Sequence, residues 1–205
     1  MRRGALPLVL LASGSFGLAL LLAGTGLPEY SHRFHPVALR GASGLPGAMA
    51  FNAAAFLLPG LALLLASHAL RSTVAACGWM ARIGLTLAQL SVLAFAMQGM
   101  LPLDLRELDG DAGRLHALAW MLWWIAFVPA MAFLAAGTRR GAGFSIACLL
   151  AGTLVLLLAV LLPVGAWVGL AQRLAFAAWF GWWLWAARAL VPQAASGSNA
   201  AIAKR

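Results

Sequence analysis

The chain has 205 residues, of which 63% are hydrophobic and only 9% are charged. Soluble globular domains carry roughly a quarter charged residues, so this composition excludes a water-soluble globule and predicts a protein of the lipid bilayer. The formal net charge is +9, but the basic residues lie at the ends of apolar segments, where they contact anionic lipid headgroups; this distribution argues against nucleic-acid binding.

Six apolar segments are long enough to cross a hydrocarbon core of about 30 Å as helices. The predicted spans are residues 7–26, 47–70, 79–101, 117–137, 144–168 and 172–191. The first segment begins after two arginines, as a signal peptide does, but it exceeds the roughly 7–15 apolar residues of a signal and is predicted to be retained. Residues 192–205 have the composition of a disordered tail. The predicted fold is therefore an all-α, polytopic membrane protein with six transmembrane helices.

The charges predict how these helices are oriented. One side of the predicted bundle holds nine of the fourteen basic residues and none of the five acids. These nine are Arg2, Arg3, Arg71, Arg82, Arg139, Arg140, Arg188, Lys204 and Arg205. The positive-inside rule places this side in the cytoplasm, together with both termini. The arginine-rich, alanine-rich composition is typical of a bacterial protein, and the expected location is the bacterial inner membrane.

Nearly all residues with reactive or ligand-binding side chains fall on the opposite, outward side. They are Glu29, His32, His35, Asn52, Asp104, Glu107, His116 and Arg173. Polar groups at a membrane margin are tolerated by water and headgroups, so their presence alone does not establish chemistry. Their concentration at one end nevertheless predicts an outward-facing polar pocket that binds a small molecule or a lipid headgroup.

Two further kinds of chemistry are compatible with these residues. A carboxylate such as Asp104 that orients His116 would form a proton-transfer pair, as in a membrane-margin hydrolase, although the same pair could be a structural tie. His35, Asp104 and His116 are residue types that zinc accepts, but they lack the spacing of a helical ligand pair, so no cofactor is required by the pattern. A transporter or channel is a weaker alternative, because no charged group or broken-helix pair marks the bilayer midplane.

Asn52 and Arg173 are expected to be structural. Each stands near a predicted helix entrance, where the amide or the guanidinium can tie loop backbone to the helix. Trp120, Trp123 and Trp124 lie near an outward margin and are expected to anchor the fourth span at the membrane interface. Trp179 and the tryptophans that follow it lie deeper in the sixth span and are expected to pack between helices or face lipid.

Several short motifs resemble those of the bacterial membrane family named domain of unknown function 998. The matching elements, in chain order, are His35-Pro36, a glycine-rich turn from Gly41 to Gly47, Asn52, Gly60, Gly99-Met100-Leu101-Pro102-Leu103-Asp104, His116 and Gln172-Arg173. The chain departs from the family at Ala38-Leu39-Arg40-Gly41, where the family often has Ser-Glu-Leu-Gly, and at Leu101, where Phe is usual. The resemblance implies a six-helix membrane fold and no settled activity.

Overall fold

The computed structural model describes residues 4–162 and 167–190, and within these ranges all regular structure is helical. The helices are α1 (Ala5–Leu21), α2 (Val37–Arg40), α3 (Ala48–Ala75), α4 (Trp79–Met100), α5 (Asp111–Gly137), α6 (Ala142–Leu161) and α7 (Val168–Ala189). The predicted all-α class is confirmed. The predicted tail, residues 192–205, lies outside the described residues.

Four helices, α3 to α6, are long and apolar enough to cross a membrane. Helix α1 is also apolar but has 17 residues, whereas α7 has 22 residues and includes Gln172, Arg173 and Arg188. Large apolar side chains project from the outside of the bundle; Leu61, for example, is 58% exposed. Such an apolar exterior is unfavourable in water and suits contact with lipid, so the chain has the properties of a membrane protein.

Several helices begin or end at other residues than predicted. The differences occur where polar residues continue a helix or where apolar residues continue past its end. Helix α5 begins at Asp111 rather than 117, because an acid in the first turn complements the helix dipole although it is not apolar. Helix α3 continues to Ala75 rather than 70, through the polar segment 71–73. Helix α6 ends at Leu161 rather than 168, and α7 begins at Val168 rather than 172. The residues at both of these helix ends are apolar, so a hydropathy pattern does not mark the boundaries.

A single wide turn adapts α3 to its internal proline. Residues Ala53–Leu57 form a π-helical turn immediately before Pro59. Proline has no backbone N–H and clashes with the preceding turn of a regular helix, and a π-turn relieves this conflict locally. The carbonyl of Ala54 in this turn accepts a hydrogen bond of 2.6 Å from the Ser15 hydroxyl of α1. The freed backbone group is thereby satisfied inside the apolar bundle.

The long helices pack in a closed arrangement around an aromatic core. Each long helix contacts the next one in the chain, and α1 also contacts α7. In the core, the ring centroids of Phe95 and Trp179 are 4.8 Å apart, as are those of Trp123 and Phe176. Trp123 is fully buried, so its predicted role as an interface anchor is wrong: its position on α5 faces the neighbouring helices.

The two ends of the bundle differ in charge. The basic end is formed by the turns 76–78 and 138–141 and the end of α7, and within the described residues it carries Arg71, Arg82, Arg139, Arg140 and Arg188 without an acid. The polar end is formed by the connections 22–47 and 101–110 and the first turns of α5 and α7. All five acids of the chain lie at the polar end, which is where the candidate site is found.

Candidate functional site at the polar end

The first turns of α7 hold the first connection in place through Arg173. Its Nη1 donates to the carbonyl oxygens of His35, at 2.9 Å, and Gly169, at 2.7 Å. Its Nη2 donates to the Tyr30 hydroxyl at 2.6 Å. The Arg173 side chain therefore joins α7 to two points of the connection, which is the contact expected of a residue that ties loop backbone at a helix entrance.

Two more hydrogen bonds hold the same segment on α7, and a glycine allows the two backbones to approach. The Val37 N–H donates to Gln172 Oε1 at 2.6 Å, and the Leu170 N–H donates to the Arg33 carbonyl at 3.1 Å. Gly169 makes this approach possible, because a Cβ there would lie 2.5 Å from the His35 carbonyl oxygen. The backbone of residues 33–37 is thus held by the backbone and side chains of the first turns of α7.

A hydrogen bond defines the tautomer of His35. Its Nδ1 accepts from the Ser31 N–H at 2.9 Å, so neutral His35 carries its proton on Nε2 and can donate from that atom. Coordination of zinc through Nε2 would require the proton on Nδ1, where it would face the Ser31 N–H. The Ser31 hydrogen bond and zinc binding at Nε2 therefore exclude each other.

A buried arginine and a buried asparagine bind backbone carbonyls of the connection 22–47. Arg40 is only 9% exposed, and it donates to the carbonyl oxygens of Ala23, at 3.0 Å, and Pro46, at 2.9 Å. Asn52 donates from Nδ2 to the Gly41 carbonyl at 2.8 Å. Ala23 and Gly41 are buried residues whose carbonyl groups need a partner, and these bonds identify Arg40 and Asn52 as parts of the scaffold of the polar end.

Asp104 and His116 make separate hydrogen bonds. Asp104 Oδ1 accepts from the Arg106 N–H at 2.9 Å, whereas His116 Nδ1 lies 2.8 Å from the Leu101 carbonyl oxygen. Because a carbonyl only accepts, His116 carries a proton on Nδ1. The orienting role predicted for Asp104 is filled by the Leu101 carbonyl, and a hydrolase that uses the two residues as a pair remains a prediction.

Two adjoining cavities open at the polar end. The first has a volume of about 360 Å³ and is lined by Leu27, Pro28, Glu29, Tyr30, His35, Leu39, Leu45 and Leu105. The second has a volume of about 420 Å³ and is lined by Ser43, Gly44, Leu45, Asp104, Leu105 and Arg106. Leu45 and Leu105 belong to both walls, and the Ser43 N–H donates to the Leu103 carbonyl at 2.8 Å, which joins the two connections.

The predicted site residues are distributed between these features. Glu29 and His35 line the first cavity and Asp104 the second, whereas His116 is buried in α5 and lines neither. Within residues 4–162 and 167–190, no group of three or more His, Cys, Asp or Glu side chains is placed to hold a metal ion. Glu107 is exposed beside Gly110 and lines neither cavity.

The environment of Arg173 affects two titratable groups of the connection. Burial raises the pKa of the Tyr30 hydroxyl, and the nearby Arg173 charge opposes this rise. Burial lowers the pKa of His32, whose ring packs against Tyr30 at a centroid distance of 5.4 Å, and the Arg173 charge lowers it further. Both shifts favour the neutral side chain at neutral pH.

Tyr30 also belongs to the site, although the sequence pattern did not identify it. It is the one tyrosine of the chain, it lines the first cavity and it accepts the shortest of the Arg173 hydrogen bonds. Its position next to Glu29, in a polar connection of an otherwise tyrosine-free chain, could have indicated its place in the site.

Comparison with protein-family models, curated proteins and solved structures gives no match for this chain.

Proposed function

We propose that the chain is a six-span protein of the bacterial inner membrane with both termini in the cytoplasm, and that its polar end faces outward and binds a small molecule or lipid headgroup. The orientation is supported by the charge difference between the ends, because the described part of the basic end holds five arginines without an acid. Basic residues are retained on the cytoplasmic side of membrane proteins.

The observation that carries the binding proposal is the first cavity. Its volume of about 360 Å³ lies in the range of small-molecule sites, which are mostly apolar with a few fixed polar groups. Four leucines supply apolar wall, and Glu29, Tyr30 and His35 are its polar groups. This combination suits an amphiphilic ligand at a membrane margin.

The polar groups define which ligand atoms would be recognised. His35 donates from Nε2, because Nδ1 is occupied by the Ser31 N–H. Tyr30 accepts from Arg173 and retains its own proton, which it can donate. Glu29 is exposed and supplies a carboxylate. The proposed ligand therefore has an oxygen acceptor for the two donors, and a cationic or N–H group suits the carboxylate.

Membership of the family of domain of unknown function 998 belongs to the same proposal. It is supported by the way the motif residues contact one another: Gln172 binds the Val37 N–H, beside His35-Pro36. Asn52 binds the carbonyl of Gly41, and the arginine of the Gln172-Arg173 element binds the carbonyl of His35. In this chain, residues of different motifs bind one another, as expected if the motifs form the scaffold that members of the family have in common.

Native mass spectrometry of the protein released from its own membrane tests the proposal. The Leu27→Trp variant fills the first cavity, and Leu108→Trp, at a 58% exposed position of the second connection outside both cavities, is the matched control. We expect a bound species on the wild type and the control that is absent from Leu27→Trp. Glu29→Gln, at an exposed position, is expected to weaken the same species. Identical bound species on all four proteins would contradict the proposal.

A further inference from the structure

A small cavity at the basic end lies between α3 and α4, far from the site described above. Its volume is about 60 Å³, and it is lined by Arg71, Val74, Ala75, Arg82, Leu85 and Thr86. Such a volume holds a group the size of a few water molecules. The two arginines stand on different helices and both are exposed, so an ion or headgroup can reach them from outside the bundle.

Neither arginine is neutralised by an acid in the part of the chain that the structure describes. Arg71 donates from Nη1 to the neutral Gln89 Oε1 at 3.0 Å, and Arg82 donates from Nε to the Gly78 carbonyl at 3.4 Å. The acids lie at the other end of α4, a helix of 22 residues, which corresponds to a length of about 30 Å. Within residues 4–162 and 167–190, no acid therefore compensates the positive charge of the cavity.

The Arg71 side chain is held in position by a chain of neutral partners. Gln89 donates from Nε2 to the Ser67 hydroxyl at 3.1 Å, and this hydroxyl donates to the Leu64 carbonyl at 2.8 Å. Ser67 is fully buried, so the chain is anchored inside the bundle. A pre-positioned guanidinium loses less side-chain freedom when it binds an anion, and its planar donors match the oxygens of a phosphate.

The surroundings of the cavity correspond to the headgroup level of a membrane. Trp79, in the first turn of α4, is 62% exposed, as is usual for tryptophans at the interface between lipid and water. Val74 and Leu85 form a buried apolar floor. Basic pockets between transmembrane helices on the cytoplasmic side bind anionic headgroups.

We propose that Arg71 and Arg82 form a binding site for a phosphate group, carried by an anionic phospholipid or free in solution. The two guanidinium groups bind phosphate oxygens from two helices and thereby link α3 to α4 at the basic end. This inference uses the membrane placement given under Proposed function, but it does not depend on the cavity at the polar end.

The test is native mass spectrometry of the purified protein with two probes, dioleoyl-phosphatidylglycerol and inorganic phosphate. Arg71→Gln/Arg82→Gln removes both ligands of the phosphate, and Arg139→Gln/Arg188→Gln removes the same charge from exposed positions of the same end. We expect the first variant to lose phosphatidylglycerol retention by at least about tenfold and the control to retain it. Retention of inorganic phosphate alone, with the same dependence on Arg71 and Arg82, would assign the site to free phosphate.

Gln89→Leu provides a second variant that leaves the charge unchanged. This variant removes the partner that positions Arg71, so a partial loss of phosphatidylglycerol retention is expected. It also provides a test if the Arg71→Gln/Arg82→Gln variant does not fold. Equal losses in the Arg71/Arg82 and Arg139/Arg188 variants, or no retention of either probe by the wild type, would overturn the proposal. The Leu27→Trp variant tests the polar-end cavity and leaves the basic end unchanged. A failure of ligand binding at the polar end is therefore distinguished from a failure of phosphate binding at the basic end.

Discussion

The Arg173 guanidinium donates to the Tyr30 hydroxyl at 2.6 Å, although the two residues are 143 positions apart in the sequence. This contact connects the beginning of α7 to the segment that follows α1. It also places Arg173 behind a cavity wall that contains Tyr30 and His35. The shape of the cavity therefore depends on how α7 holds the first connection.

Replacing Arg173 by alanine is expected to lower the melting temperature in detergent by about 5 °C. A hydrogen bond to a charged group contributes about 1.5–3 kcal/mol to stability. A loss of about 1 kcal/mol lowers the melting temperature of a chain of this size by a few degrees. Arg114→Ala is the control, because it removes the same charge from an exposed position of the polar end. Tryptophan fluorescence during thermal unfolding measures both variants, and wild-type melting of Arg173→Ala would reject the structural role.

Gly41 and Asn52 are expected to be energetically coupled. A Cβ on Gly41 would collide with Asn52 Oδ1, so Gly41→Ala is expected to destabilise the protein by about 1–3 kcal/mol, the usual effect of overpacking. Asn52→Ala removes the hydrogen bond to Gly41 but also makes room for the new methyl group. The double variant is therefore expected to lose less stability than the sum of the single variants. Strict additivity in thermal unfolding would show that the two residues do not contact each other.

The single tyrosine makes one pKa directly measurable. Burial raises the pKa of Tyr30, against the opposing Arg173 charge, so the hydroxyl of the folded protein is expected to titrate above the ordinary value of about 10. The ultraviolet absorbance of the tyrosinate reports this group. Because the folded state holds this proton more tightly, its contribution to stability is complete below about pH 10 and is lost as the pH rises through the folded pKa. Arg173→Met is expected to raise the midpoint further, and a midpoint at or below about 10 in the folded wild type would contradict the half-buried position of Tyr30.

The sequence allowed the helices to be located because hydropathy averages over a whole segment and tolerates errors of a turn at each end. It did not reveal which polar residues meet. Arg40 is buried by carbonyl partners from two separate segments, Ala23 and Pro46, and the charge of an arginine gives no sign of such burial. The predicted partner of His116 was a side chain, whereas the observed partner is the Leu101 carbonyl, a group that every residue possesses and no sequence pattern marks.

The polar cavity can serve as an outward-facing site only if the polar end lies outside the cytoplasm, and cysteine labelling measures this directly. Cys77 lies in the turn between α3 and α4 at the basic end, and Leu108→Cys combined with Cys77→Ala places a thiol at the polar end instead. Cys148 is buried and remains in both proteins. With spheroplasts and a membrane-impermeant maleimide, we predict that the Leu108→Cys protein is labelled in intact preparations, whereas the wild type, with Cys77, is labelled only after lysis. Labelling of Cys77 from outside, with protection of the thiol at position 108, would contradict the orientation and the outward-facing site with it.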